Sequence, residues 1–175
     1  MALPRIANGA LAGAIAAGVW AAQQPADKRL FGTRYDDTEL LGKLVTRDPA
    51  WPAVGAGMHV ANGAAFGAVY SALRPLLPGP PVARAVTLAL VENFGSWGAV
   101  SLVDRFHPAR KELEPLSGNV RALAAATWRH ALFGVLLGVI ERRLNPAEEA
   151  EPLEVPVSSN GHGSIEHAAV SVEHD

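Results

Sequence analysis

The chain has 175 residues, no cysteine, a net charge of −2, and 49% hydrophobic but only 6% aromatic residues. That length suits one domain with a sizeable core, and the missing cysteine excludes disulfides and thiolate metal sites. The net charge hides an asymmetry: residues 1–145 hold 15 basic and 10 acidic groups, whereas 146–175 hold seven acids and no Lys or Arg.

A window of about 19 residues passed along the chain finds four apolar stretches, at 6–22, 53–73, 85–103 and 122–140. Each approaches the ~20 residues that a helix needs to cross ~30 Å of hydrocarbon. The first two carry no charge, the third carries Glu92 and the fourth Arg129. A soluble bundle helix shows a charged face at every turn, and these segments do not. The expected fold is therefore all-α: a four-helix transmembrane bundle occupying 1–145, followed by a disordered acidic tail at 146–175. The tail histidines His162, His167 and His174 are read as solvated rather than metal-bound.

The first segment also fits a signal peptide, with Arg5 before it and small residues around 20–22. In the charged stretch that follows, residues 36–45 read as a short amphipathic helix capped by Asp36 or Asp37, with Leu40, Leu41, Leu44 and Val45 on one face. Basic residues number nine in the loops 23–52 and 104–121 and five on the other side, which places those loops in the cytoplasm and both termini outside. Arg outnumbers Lys 12 to 3, a bias typical of GC-rich bacterial genomes, so the expected location is a bacterial inner membrane.

The second and fourth segments share a pattern. Gly55, His59, Gly63 and Gly67 stand four residues apart, as do Ala126, His130, Gly134 and Gly138, with an offset of 71. Residues four apart share a helix face, and small-residue stripes let membrane helices approach closely. Asp27-Lys28-Arg29-Leu30-Phe31 and Asp104-Arg105-Phe106 form a second echo. Together they suggest two repeated helical hairpins.

Counted from the side bearing the termini at ~1.5 Å per residue, Glu92, Asn62, Arg129, His130 and His59 fall within roughly 6 Å of one depth. A charge in the bilayer centre costs about 2.5–3.5 kcal/mol on insertion scales, so Glu92 is expected to pair with Arg129, while Asn62, Asn93, His59 and His130 complete a midplane cluster. The cluster reads first as structural glue in an envelope protein of structural, interaction or stress type. Two alternatives are a proton, ion or solute path, and haem ligation by His59 and His130. No catalytic residue or metal site is expected; the partners are the bilayer, a second copy or other membrane proteins, and not nucleic acid.

The stretches HVANGAAFGAVYSALRP (59–75), RHALFGVLLGVIERRLN (129–145) and GALAGAIAAGVW (9–20) resemble small bacterial inner-membrane proteins of the YagU type. The likeness spans about 140 residues. It implies a helical membrane protein of uncharacterised activity and supplies no catalytic residue.

Overall fold

The computed structural model describes residues 2–146. Within them the chain is all-helical, with six α-helices: α1 (Ala2–Phe31), α2 (Asp37–Val45), α3 (Trp51–Leu73), α4 (Pro81–Trp97), α5 (Val100–Phe106) and α6 (Val120–Leu144). A single 3₁₀ turn, Arg74–Leu76, follows α3. The acidic tail lies outside the described residues.

Helix boundaries depart from the apolar segments in two places. Helix α1 does not stop at 22; it runs through Pro25 to Phe31 and so carries Gln24 and Asp27 into buried positions. Pro25 is exposed, so the carbonyl left without a helical donor sits on the outer side of the helix. The third apolar segment is not one rod: α4 ends at Trp97, and after Gly98–Ala99 the chain turns 46° into α5. Two helices, α1 and α6, are long and apolar enough to cross a membrane, and the bent α4–α5 pair makes a third candidate. Helix α3 has 23 residues and no charge, but its glycines, His59 and Asn62 lower its hydropathy.

Local signals explain the ends. Asp36 caps α2 by accepting from the Thr38 and Glu39 amides, and Asn119 caps α6 by accepting from Ala122. Pro52 and Pro81 stand in the first turns of α3 and α4, where a missing amide costs nothing.

Helix α1 lies between α3 and α6, and α6 lies between α1 and α4. Close backbone approach makes these contacts. A Cβ on Gly67 would collide with the Gly9 carbonyl, and one on Gly13 with that of Gly63. On α6, Gly134 and Gly138 rest against Val86 and Val82 of α4. Gly55 faces α2 at Thr38 and Gly42. The core is correspondingly fine-grained: Ala12, Ala16, Ala17, Ala85 and Ala89 surround Trp20, Tyr70, Phe133 and Leu137.

Helices α3 and α4 meet at one end, where the Tyr70 hydroxyl donates to the Pro81 carbonyl at 2.7 Å. Further along, a groove separates them. The bundle is thus closed where α1 meets α6 and open between α3 and α4.

The glycine contacts yield a paired prediction. Gly13→Ala and Gly67→Ala should each destabilise by about 1–3 kcal/mol, because backbone rather than a flexible side chain must move. Gly18→Ala and Gly57→Ala, which meet no atom within 4 Å, should be neutral or stabilise by up to about 1 kcal/mol. Thermal unfolding of the four variants in detergent measures both.

Candidate functional site

Polar side chains gather at two levels of the bundle. At the end bearing Leu144, Glu141 is fully buried and accepts from Arg74 Nη1 at 3.0 and 2.9 Å, from the Ser71 hydroxyl and from Asn145 Nδ2. Asn8 donates to Asn145 Oδ1 and to the Leu144 carbonyl. Arg142 and Arg143, which follow Glu141, are exposed, whereas Glu141 itself is interior.

At the other end stands Arg129, also fully buried. Its Nε and Nη2 donate to the two oxygens of Asp27 at 2.8 and 2.7 Å, and Nη1 donates to Asp37 at 2.7 Å. Nη2 further donates to the Tyr35 carbonyl. This overturns the pairing of Arg129 with Glu92. Arg129 has two carboxylates, from the last turns of α1 and the first turn of α2, and Glu92 is not one of them.

Glu92 instead faces His130, with Oε2 at 2.8 Å from Nε2. The other ring nitrogen, Nδ1, is 2.8 Å from the Ala126 carbonyl. A carbonyl only accepts, so Nδ1 carries hydrogen. A hydrogen bond at Nε2 then requires one proton between imidazole and carboxylate, held by either partner.

The residues expected in one cluster therefore divide. Glu92, His130, His59 and Asn62 line the groove between α3 and α4. Asn93, one position from Glu92, turns the other way and donates to Thr127 of α6 at 3.1 Å. Gly63 also reaches the groove wall, whereas Gly55, Gly67, Gly134 and Gly138 lie in helix contacts.

The groove has a volume of about 490 Å³. Its inner wall is Ala17 and Trp20 of α1 with His130 and Phe133 of α6, and its sides are Phe66 and Val69 of α3 and Ser96 of α4. Trp20 stands edge-on to both histidines, at 4.9 Å from His59 and 4.6 Å from His130, and donates its indole N–H to Asp37 at 3.1 Å. An indole in contact with both imidazoles occupies the place a haem would need, and the two histidines do not fit that cofactor. His59 is 8% exposed and its Nε2 has no hydrogen-bond partner.

The loops at this end close over the groove. Leu40 and Leu41 of α2 form its roof. The roof is pinned by His107 to the Leu40 carbonyl at 3.0 Å, by Lys43 to Glu112 at 3.0 Å, and by Glu114, which accepts from the Thr33 hydroxyl and the Arg34 amide. Burial raises the Asp36 carboxyl, but hydrogen bonds from Lys28 and Thr38 outweigh it and hold the group below its ordinary value. Glu114 behaves in the same way: burial is outweighed by bonds from Thr33, Asn119 and the Arg34 amide. Burial and the neighbouring Asp37 push the Tyr35 phenol well up, so it stays a donor to that carboxylate.

No family model, curated protein or solved structure matches this chain.

Two outcomes follow. Arg129→Gln should cost about 3–5 kcal/mol by stranding buried carboxylates, while Glu92→Gln, on a residue whose side chain is 47% exposed, should stay within about 0.5 kcal/mol. Denaturant titration separates them. Because Asp36 and Glu114 titrate below their unfolded values, their contribution to the roof is complete above about pH 4–5 and is lost as pH falls through the folded value. Protection of residues 33–45 against hydrogen exchange, taken relative to the intrinsic rate at each pH, should therefore fall below about pH 4, before that of α1 and α6.

Proposed function

We propose that the chain is a small integral membrane protein, crossing the bilayer with α1, α3, the bent α4–α5 pair and α6, whose working site is the lateral groove between α3 and α4. The observation that carries this is the inverted distribution of polarity. Across 4–22, 51–73, 81–97 and 122–141 the charged residues are Arg5, Arg84, Glu92, Arg129 and Glu141. Arg129 and Glu141 are buried, and of the five only Glu92 is exposed. The outward positions are apolar, for example Leu11, Ile15 and Val19 on α1, Val69 on α3, Val91 and Phe94 on α4, and Val135 on α6. Water would demand the reverse; hydrocarbon accepts this arrangement.

The likeness to YagU-type membrane proteins, the Arg-rich composition and the nine basic residues on the roof side support a bacterial inner membrane with the roof in the cytoplasm. The two histidine-bearing glycine stripes, each packed on a neighbouring helix, support two repeated hairpins. The buried ion pairs at either end act as structural fastenings, and the groove is left as the place for a ligand. It is polar toward the roof, at Glu92, Asn62, His59 and His130, and apolar away from it, at Ala65, Phe66, Val69 and Phe133. Such a wall suits an amphiphile entering from the bilayer. A conducting path through the bundle finds less support, because Trp20, Tyr70, Phe133 and Leu137 fill the space between the two polar levels.

The test uses Ala65→Trp, which fills the groove from an exposed wall position. The wild-type chain should remain in carbonate-washed membranes, and native mass spectrometry from detergent should show small amphiphiles bound to it and lost from Ala65→Trp. Recovery in the soluble fraction, or identical adducts on both proteins, refutes the reading.

A further inference from the structure

We infer that the groove takes lipophilic cations and exchanges them for the proton shared by Glu92 and His130. This rests on the groove being a ligand site and names the chemistry of its ligand. Charge is the first ground. Glu92 is the exposed carboxylate of the helical surface, and its Oε1 accepts no hydrogen bond among the described residues. Behind it, Arg129 is shared by Asp27 and Asp37, so that cluster carries one negative charge more than its guanidinium cancels. Asp37 itself lines the groove. The second ground is the wall. Trp20, Tyr35, Phe66 and Phe133 surround the same space, and aromatic faces attract cations that have shed their water. An anionic ligand would meet two carboxylates there, and a neutral one would leave Glu92 without a use.

The third ground is the proton. With Nδ1 hydrogen committed to the Ala126 carbonyl, the contact at Nε2 holds one exchangeable proton. A cation that takes Glu92 as its counter-ion removes the acceptor for that proton, which departs from His130 to water. One positive charge enters as one leaves, and the bond broken is the N–H or O–H that held the shared proton. The other titratable groups around the groove are His59 from α3 and Tyr35 and Asp37 from the roof, with Arg129 and Asp27 behind them. Arg129 is held by two carboxylates and Tyr35 donates to Asp37, which leaves the Glu92–His130 proton as the one to exchange. His59, with its unpartnered Nε2, stands beside the same ligand.

The experiment compares methyltriphenylphosphonium with neutral triphenylphosphine oxide, a probe of similar bulk, binding to the full chain in detergent. Cation affinity should rise with pH, by up to roughly tenfold per unit, with about one proton released per cation in weakly buffered solution. Glu92→Gln should lose the cation but keep the neutral probe, and Glu92→Asp should restore cation binding in part. Cation binding without proton release, or undiminished binding to Glu92→Gln, overturns the exchange. If the neutral probe binds to the wild-type chain and the cation does not, the groove stands as a ligand site and this inference fails. If neither binds, both fail together.

Discussion

The position of Arg129 between Asp27 and Asp37 governs the rest of the molecule. A guanidinium with no exposed surface cannot be solvated by water, so its donors must be met within the protein. Each nitrogen finds an acceptor: Nε and Nη2 at Asp27, Nη1 at Asp37, and Nη2 also at the Tyr35 carbonyl. These partners come from two stretches of chain, the last turns of α1 and the entry to α2. Helix α6 is thereby set in register against the final turns of α1, and the start of α2 is drawn down onto both. The roof over the groove is a consequence of this arginine as much as of its own surface contacts.

Arg129 and Glu141 stand 12 residues apart along α6, or about 18 Å, and the bundle core between them is mostly alanine packed around Trp20, Tyr70, Phe133 and Leu137. In a chain that crosses the bilayer as proposed, burying such a core gains little from the hydrophobic effect, because the tails are as apolar as leucine. Stabilisation then comes from backbone approach and from the polar fastenings. Both are visible: Gly9, Gly13, Gly63 and Gly67 bring α1 and α3 together, and the Arg74–Glu141–Asn145 group fixes the far end. The open side between α3 and α4 has such fastenings at one end alone, from Tyr70 to the Pro81 carbonyl and from Arg84 to the Arg74 carbonyl. The groove lies along that side.

Sequence revealed the helices better than it revealed their faces. The segments 53–73 and 122–140 lie within α3 and α6 because continuous apolarity leaves few alternatives. The last nine residues of α1 were illegible to hydropathy: Gln23 through Lys28 read as a loop, although buried bonds from Asp27 to Arg129 favour continuing the helix. The break after Trp97 was hidden for the opposite reason, since Gly98 and Ala99 are apolar enough to pass as spanning residues. Depth counting brought Glu92, Arg129 and His130 to one level but gave no azimuth. Consecutive helical residues point ~100° apart, so α6 cannot turn both Arg129 and His130 toward α4. Arg129 faces α1 and His130 faces the groove. The same rotation separates Glu92 from Asn93.

That division gives the site its character. Had Glu92 met Arg129, its charge would be cancelled by a cation that neither leaves nor loses its proton, since guanidinium stays charged at any physiological pH. The two aspartates take that role instead, and Glu92 is left with an imidazole. An imidazole cancels charge only while it holds a proton, and unlike a guanidinium it can give that proton up. The fastening of α6 to α1 thus determines both facts at once. It consumes the permanent cation in the interior, and it leaves on the groove wall a carboxylate whose counter-charge can be exchanged.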